Sequence, residues 1–109
     1  MRPAGLLIAA LLALPAAPRA EDELTLVASR AGFRPKLLKL RKGDTAKLVL
    51  STADDEHCFA LDAWRVEKRI APGKTTNVEL TPDRVGEFTF YCCLEPDNKA
   101  LQGKLVVVE

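Results

Sequence analysis

The sequence predicts an all-β domain built as a two-sheet sandwich. Seven short segments carry strand patterns, turn signals rich in Gly, Pro and Asp separate them, and no segment sustains a helical period. Glu23–Ser29 (ELTLVAS) alternates and then runs apolar. Lys36–Leu40 follows and is closed by the turn Arg41-Lys42-Gly43-Asp44. In Thr45–Ser51 the residues Ala46, Leu48 and Leu50 share one face. His57–Leu61 is entered from the acidic turn 53–56. Ala63–Lys68 is the one segment that reads as a helical turn. Ala71-Pro72-Gly73-Lys74 is another turn, after which Thr75–Leu80 alternates through Val78 and Leu80. Glu87–Cys92 sets Phe88, Phe90 and Cys92 on one face, and Leu105–Val108 is the last strand.

The first twenty residues stand apart. Arg2 supplies a positive end, Gly5–Leu14 an apolar run and Ala16–Ala20 a small-residue exit, the three parts of a secretory signal. The apolar run is too short for a bilayer, which needs about 20 apolar residues. The competing reading is an uncleaved anchor. Cleavage after Ala20 leaves a single domain over residues 21–109, with no membrane span. That domain loses Arg2, Arg19 and the only Met, and keeps 14 basic against 15 acidic side chains. Such a balance lacks the clustered basic surface that nucleic acid demands. Export also takes the cysteines into an oxidising compartment, where disulfides persist.

With the strands in place, the chain resembles the cupredoxins. The resemblance rests on six pieces in order: Phe33-Arg34-Pro35; Leu40-Arg41-Lys42-Gly43-Asp44; Ser51–His57, where the family places its first copper-ligating His; Ile70-Ala71-Pro72-Gly73-Lys74-Thr75; Gly86–Cys92, whose Cys is the family's copper thiolate; and Gly103-Lys104-Leu105-Val106-Val107. By pattern the chain looks like bacterial periplasmic cupredoxins and the copper domain of cytochrome oxidase subunit II. The resemblance implies a Greek-key sandwich of about seven strands, a copper ion bound at one end, a periplasmic location, and a carrier rather than an enzyme.

The ligand set departs from that pattern. A blue-copper site uses two His, one Cys and a weak axial Met. Here the expected Met position falls on Leu101 and the second His near Asn98, and residues 21–109 hold one His and no Met. Composition therefore excludes a standard blue site, and electron transfer through one ranks last among the functional readings. A binuclear site is disfavoured too, because Cys92 and Cys93 are adjacent and a second His is missing.

What remains is His57, Cys58, Cys92, Cys93 and Glu95. On the family framework His57 and Cys92 approach each other, and each is followed by a Cys where relatives often hold polar residues that hydrogen-bond across the loops. The resemblance thus implies a Cys58–Cys93 disulfide, with Cys92 free beside His57. One thiolate and one imidazole, with Glu95 as a third donor, suit Cu(I). Two other arrangements stay open: all three thiols reduced, with Cys58 and Cys93 joining a thiolate-rich site for Cu(I) or zinc, or a Cys58–Cys92 bridge that leaves Cys93 free. His57 also reads as a strand His capping the acidic turn Asp54-Asp55-Glu56.

Two functional readings follow. The first is an exported carrier of Cu(I) for buffering or delivery, handing copper to a periplasmic or membrane-bound copper or respiratory protein. The second is a metal-free, disulfide-stabilised interaction module with a partner surface around Trp64, in a loop expected beside the site. A Cys–His pair lacking a third orienting residue gives little support to catalysis.

Overall fold

The computed structural model describes residues 22–109, so the predicted signal segment lies outside the described residues. Among the described residues, nine strands form two sheets. One sheet has the order β2-β1-β4-β7, from Gly32–Arg34, Asp22–Ser29, Ala46–Thr52 and Thr76–Leu80. The other has the order β3-β9-β8-β5-β6, from Leu37–Arg41, Gln102–Val108, Gly86–Tyr91, His57–Leu61 and Val66–Ile70. Most neighbours are antiparallel, but β1 runs parallel to β4, and β3 to β9. Among the described residues no helix is long and apolar enough to cross a membrane.

The alternation read in the sequence fills the space between the sheets. Leu26 and Ala28 of β1, Ala46, Leu48 and Leu50 of β4, and Val78 and Leu80 of β7 are all buried. They face Leu38, Leu40, Leu105, Val107, Phe90, Phe59 and Leu61 of the second sheet. Phe33, Phe59 and Phe90 form the aromatic centre, with ring centroids 5.3 to 6.3 Å apart and the Phe33 ring edge-on to the other two. Such pairs add about 0.5–1.5 kcal/mol each beyond the burial of their area.

Two strands exceed the seven that sequence patterning predicts. β2 is three residues around Phe33, too short to show a period. β6 replaces the expected helical turn over 63–68. A single 3-10 turn at Asp62–Trp64 ends at Arg65, whose φ of 57° reverses the chain, and Val66–Ile70 then pairs with β5 from Leu61–Val66 to His57–Ile70. Three successive charges, Glu67-Lys68-Arg69, hide the strand character of that segment. Pairing with the fully buried β5 overrides them.

Gly103 marks the tightest approach of backbone to core. A Cβ there would run into the Phe90 ring and come within 2.7 Å of the Lys36 carbonyl oxygen. Gly103→Ala is therefore expected to lower stability by about 1–3 kcal/mol through overpacking. Urea unfolding of the two proteins checks this, and an unchanged midpoint would count against the packing described.

Candidate metal centre

The chemistry-bearing side chains come from β5 and from the chain that continues past β8. All five residues of β5 are buried. Ala60 lies opposite Tyr91. Carrying that antiparallel register onward sets Cys92 opposite Phe59 and Cys93 opposite Cys58. Side chains alternate between the faces of a sheet. His57 and Cys92 therefore share the inner face with Phe59 and Phe90, one diagonal step apart. Cys58 and Cys93 take the outer face.

Cys58 and Cys93 are joined by a disulfide whose Cα atoms are 5.1 Å apart, which fits direct opposition on neighbouring strands. It closes a span of 35 residues and, by restricting the unfolded chain, stabilises the fold by about 3–4 kcal/mol. Cys92 is the free cysteine among the described residues and is fully buried.

His57 is 2 % exposed. Its Nε2 lies 2.8 Å from Asp54 Oδ1. The Asp54 carboxylate also accepts from the backbone N–H groups of Arg30, at 2.9 Å, and Asp55, at 2.6 Å. The Arg30 N–H and then the His57 bond hold its pKa down at about 2. An ionised Asp54 accepts the bond, so Nε2 carries a hydrogen, and in a neutral ring Nδ1 keeps the lone pair. Nδ1 is buried without a hydrogen-bond partner among the described residues. Leaving such an acceptor unpaired costs about 1–3 kcal/mol. The capping of the acidic turn and a vacant ligand atom thus belong to the same imidazole.

Above His57 lies a cleft of about 290 Å³, lined also by Arg30, Asp55, Glu95, Asn98 and Leu101. Arg30 pairs with Asp55 across one rim. The far wall is a tightly wound loop, in which the N–H groups of Glu95, Asn98 and Leu101 donate in turn to the carbonyls of Cys92, Glu95 and Asn98. Asn98 accepts from the Ala100 N–H at 3.0 Å and donates to Glu95 Oε1 at 3.1 Å. Its amide is committed to the loop and offers no imidazole-like donor. Leu101, 1 % exposed, fills the adjoining space with hydrocarbon. The inner-face donors are thus His57 and Cys92, with the exposed carboxylate of Glu95 at the mouth. An imidazole nitrogen and a thiol are donors of the kind that suit copper.

Sequence reasoning missed two residues. Asp54 figures there only within the acidic turn that His57 caps, not as the residue that orients the imidazole, although its spacing of three from His57 is a usable signal. Glu67 is brought in by the register of β6. Its carboxylate and the sulfurs of Cys58 and Cys93 all lie within 4.8 Å of one another. Trp64, expected beside the site, lies at the opposite end of β5. It donates to Asp83 at 3.1 Å, packs edge-on to Phe88 at 4.6 Å and is covered by the Arg84 guanidinium.

The chain matches the family profile described as "Cupredoxin-like domain" over residues 4–107. Over 55 residues, half of its length, it is 34 % identical to a probable cytochrome c oxidase subunit 2 of Streptomyces avermitilis, and it spans 17 % of that protein. Among solved structures it superposes on the periplasmic domain of cytochrome oxidase subunit II of Bradyrhizobium japonicum with a TM-score of 0.71 at 17 % identity, covering 84 % of this chain and 87 % of that one. It also superposes on the metal-binding domain of the Cu(I)-exporting P-type ATPase of Streptococcus pneumoniae, solved with Cu(I). There the TM-score is 0.70 at 21 % identity, over 80 % and 85 % of the two chains.

Two outcomes check this geometry. Alkylation of the unreduced protein should add nothing to the native state and one group after unfolding, rising to three after reduction. A second adduct without reductant would disprove the pairing. The second concerns Tyr91, the single tyrosine. Its hydroxyl donates to Asp62 at 3.0 Å, and that bond, then burial, then the charges of Asp62 and Glu67 push its pKa up. Because the fold favours the protonated phenol, this contribution to stability is complete below the unfolded value of about 10 and is lost as pH rises through the folded value. Ultraviolet titration should place Tyr91 above free tyrosine, and Asp62→Asn should bring it down.

Proposed function

Because the chain belongs to the cupredoxin-like domain family, we propose that it is an exported carrier of copper, held as Cu(I) by His57 Nδ1 and the Cys92 thiolate for buffering or delivery. The observation that carries this reading is the buried, unpartnered Nδ1 on the same sheet face as a buried free thiol. Copper is the cargo here, and the chain's own residues do the rest. Asp54 fixes the imidazole tautomer, as carboxylates do behind ligating histidines. The disulfide ties the residues after both ligands to one another, so the two loops keep their spacing. Leu101 keeps water from the inner face, while Glu95 at the mouth supplies a third donor as the ion enters or leaves through the cleft.

Several facts support export and a respiratory or copper-handling partner. The leader pattern precedes residue 21, the disulfide suits an oxidising compartment, and two of the proteins it is similar to are subunits II of oxidases, one of them a periplasmic domain. The lack of a second imidazole and of a thioether argues for carriage over electron transfer by a blue site. The sequence shows no third residue to orient the Cys–His pair, but Asp54 does so in the structure; the carrier reading rests instead on the family and on the full burial of Cys92.

Competition titration with a Cu(I) chelator tests the reading. Wild type is expected to take one Cu(I) per chain, and His57→Ala and Cys92→Ser each to weaken binding at least about tenfold. Full affinity in both variants overturns the ligand assignment. A wild-type protein that takes no Cu(I) overturns the carrier reading and leaves a metal-free, disulfide-stabilised interaction module.

A further inference from the structure

We propose that Cys58, Cys93 and Glu67 form a second metal site, on the outer face of the five-stranded sheet, which opens only when the disulfide is reduced and takes a thiophilic divalent cation of the zinc type. It is separate from the inner-face site in residues and in location. The three ligand atoms lie within 4.8 Å of one another, with Cys58 buried, Cys93 half-buried and Glu67 exposed. Two thiolates on one tetrahedral cation sit about 3.8 Å apart, given metal–sulfur bonds of about 2.3 Å. Opposed strands with Cα atoms 5.1 Å apart reach that spacing by side-chain rotation alone. Glu67 comes from β6, whose register with β5 sets it opposite Ala60, one diagonal step from Cys58. Among the described residues no hydrogen bond or ion pair engages its carboxylate. Lys68 points to the other face, and Arg69, on the same face as Glu67, lies opposite Cys58 but is drawn to Glu56 at 3.1 Å. Solvent on the open side completes four-coordination, the pattern of an accessible three-ligand zinc site.

The switch balances without further reactants. A dithiol reductant gives two electrons and two protons to the Cys58–Cys93 bond and leaves as its own disulfide. The S–S bond breaks and each sulfur ends as a thiol. A divalent cation then displaces one proton from each thiol and binds the two thiolates and the Glu67 carboxylate. Oxidation removes both sulfur ligands at once, so clamp and metal site exclude one another.

Cys92→Ser isolates the site, since Cys58 and Cys93 are then the only thiols. The variant is reduced anaerobically with a dithiol, freed of it by gel filtration and titrated with Cd(II), whose sulfur charge-transfer absorption reports thiolate ligation. Wild-type Cu(I) binding is measured separately, so the two sites fail or stand independently. The expected result is one Cd(II) per reduced chain, none per oxidised chain, and affinity at least about tenfold lower in Cys92→Ser/Glu67→Gln. Because Glu67 is exposed, its substitution leaves the fold intact, which circular dichroism verifies. No charge-transfer band on reduction, or the same affinity with and without the Glu67 carboxylate, overturns the proposal.

Discussion

The antiparallel register of β5 with β8, fixed where Ala60 meets Tyr91, governs where every reactive group of this domain lies. A strand sends successive side chains to opposite faces. His57-Cys58 and Cys92-Cys93 are two consecutive pairs on strands that pass one another, so a single register delivers one member of each pair inward and the other outward. A slip of one residue would exchange the sets, putting a sulfur bridge in the core and an imidazole on the surface. The disulfide guards against that slip, because it can form only when Cys58 and Cys93 stand opposite each other.

Around the inner pair, polarity falls steeply over a short distance. Asp54, Asp55 and Arg30 form a charged bracket at the sheet's end, while Phe59, Phe90 and Leu101 are hydrocarbon just below. His57 spans that boundary, one nitrogen bonded to the bracket and the other without a partner. The Asp54 bond fixes how the buried ring sits, while Leu101 and Asn98 serve as packing and a loop cap. The Asn98 amide caps the turn at Lys99–Leu101.

Much of the fold was legible because the core obeys period two. Ala46, Leu48 and Leu50 are buried as their spacing demands, and Phe90 and Cys92 follow. Composition alone disposed of a blue-copper ligand set, since no geometry can supply a second His to a chain that has one. What escaped is what pairing creates. Val66–Ile70 holds three adjacent charges and gains its strand only from β5. Asp54 becomes a partner of His57 only once Arg30 and Asp55 have fixed its carboxylate, and Glu67 meets the cysteines only across a sheet. The Trp64 loop follows β5 in sequence, but β5 carries it to the far end of the sandwich.

The edge position of β6 has a consequence for solubility. An outermost strand exposes unpaired backbone groups, a template on which other chains can assemble. Glu67, Lys68 and Arg69 crowd this rim with charge, which disfavours a neighbouring strand. Replacing them with sulfur-bearing residues would enrich the outer face in soft donors, and would also leave an adhesive border. Ligand chemistry and colloidal behaviour therefore constrain the same three residues, and a richer set of soft donors on this strand is opposed by aggregation.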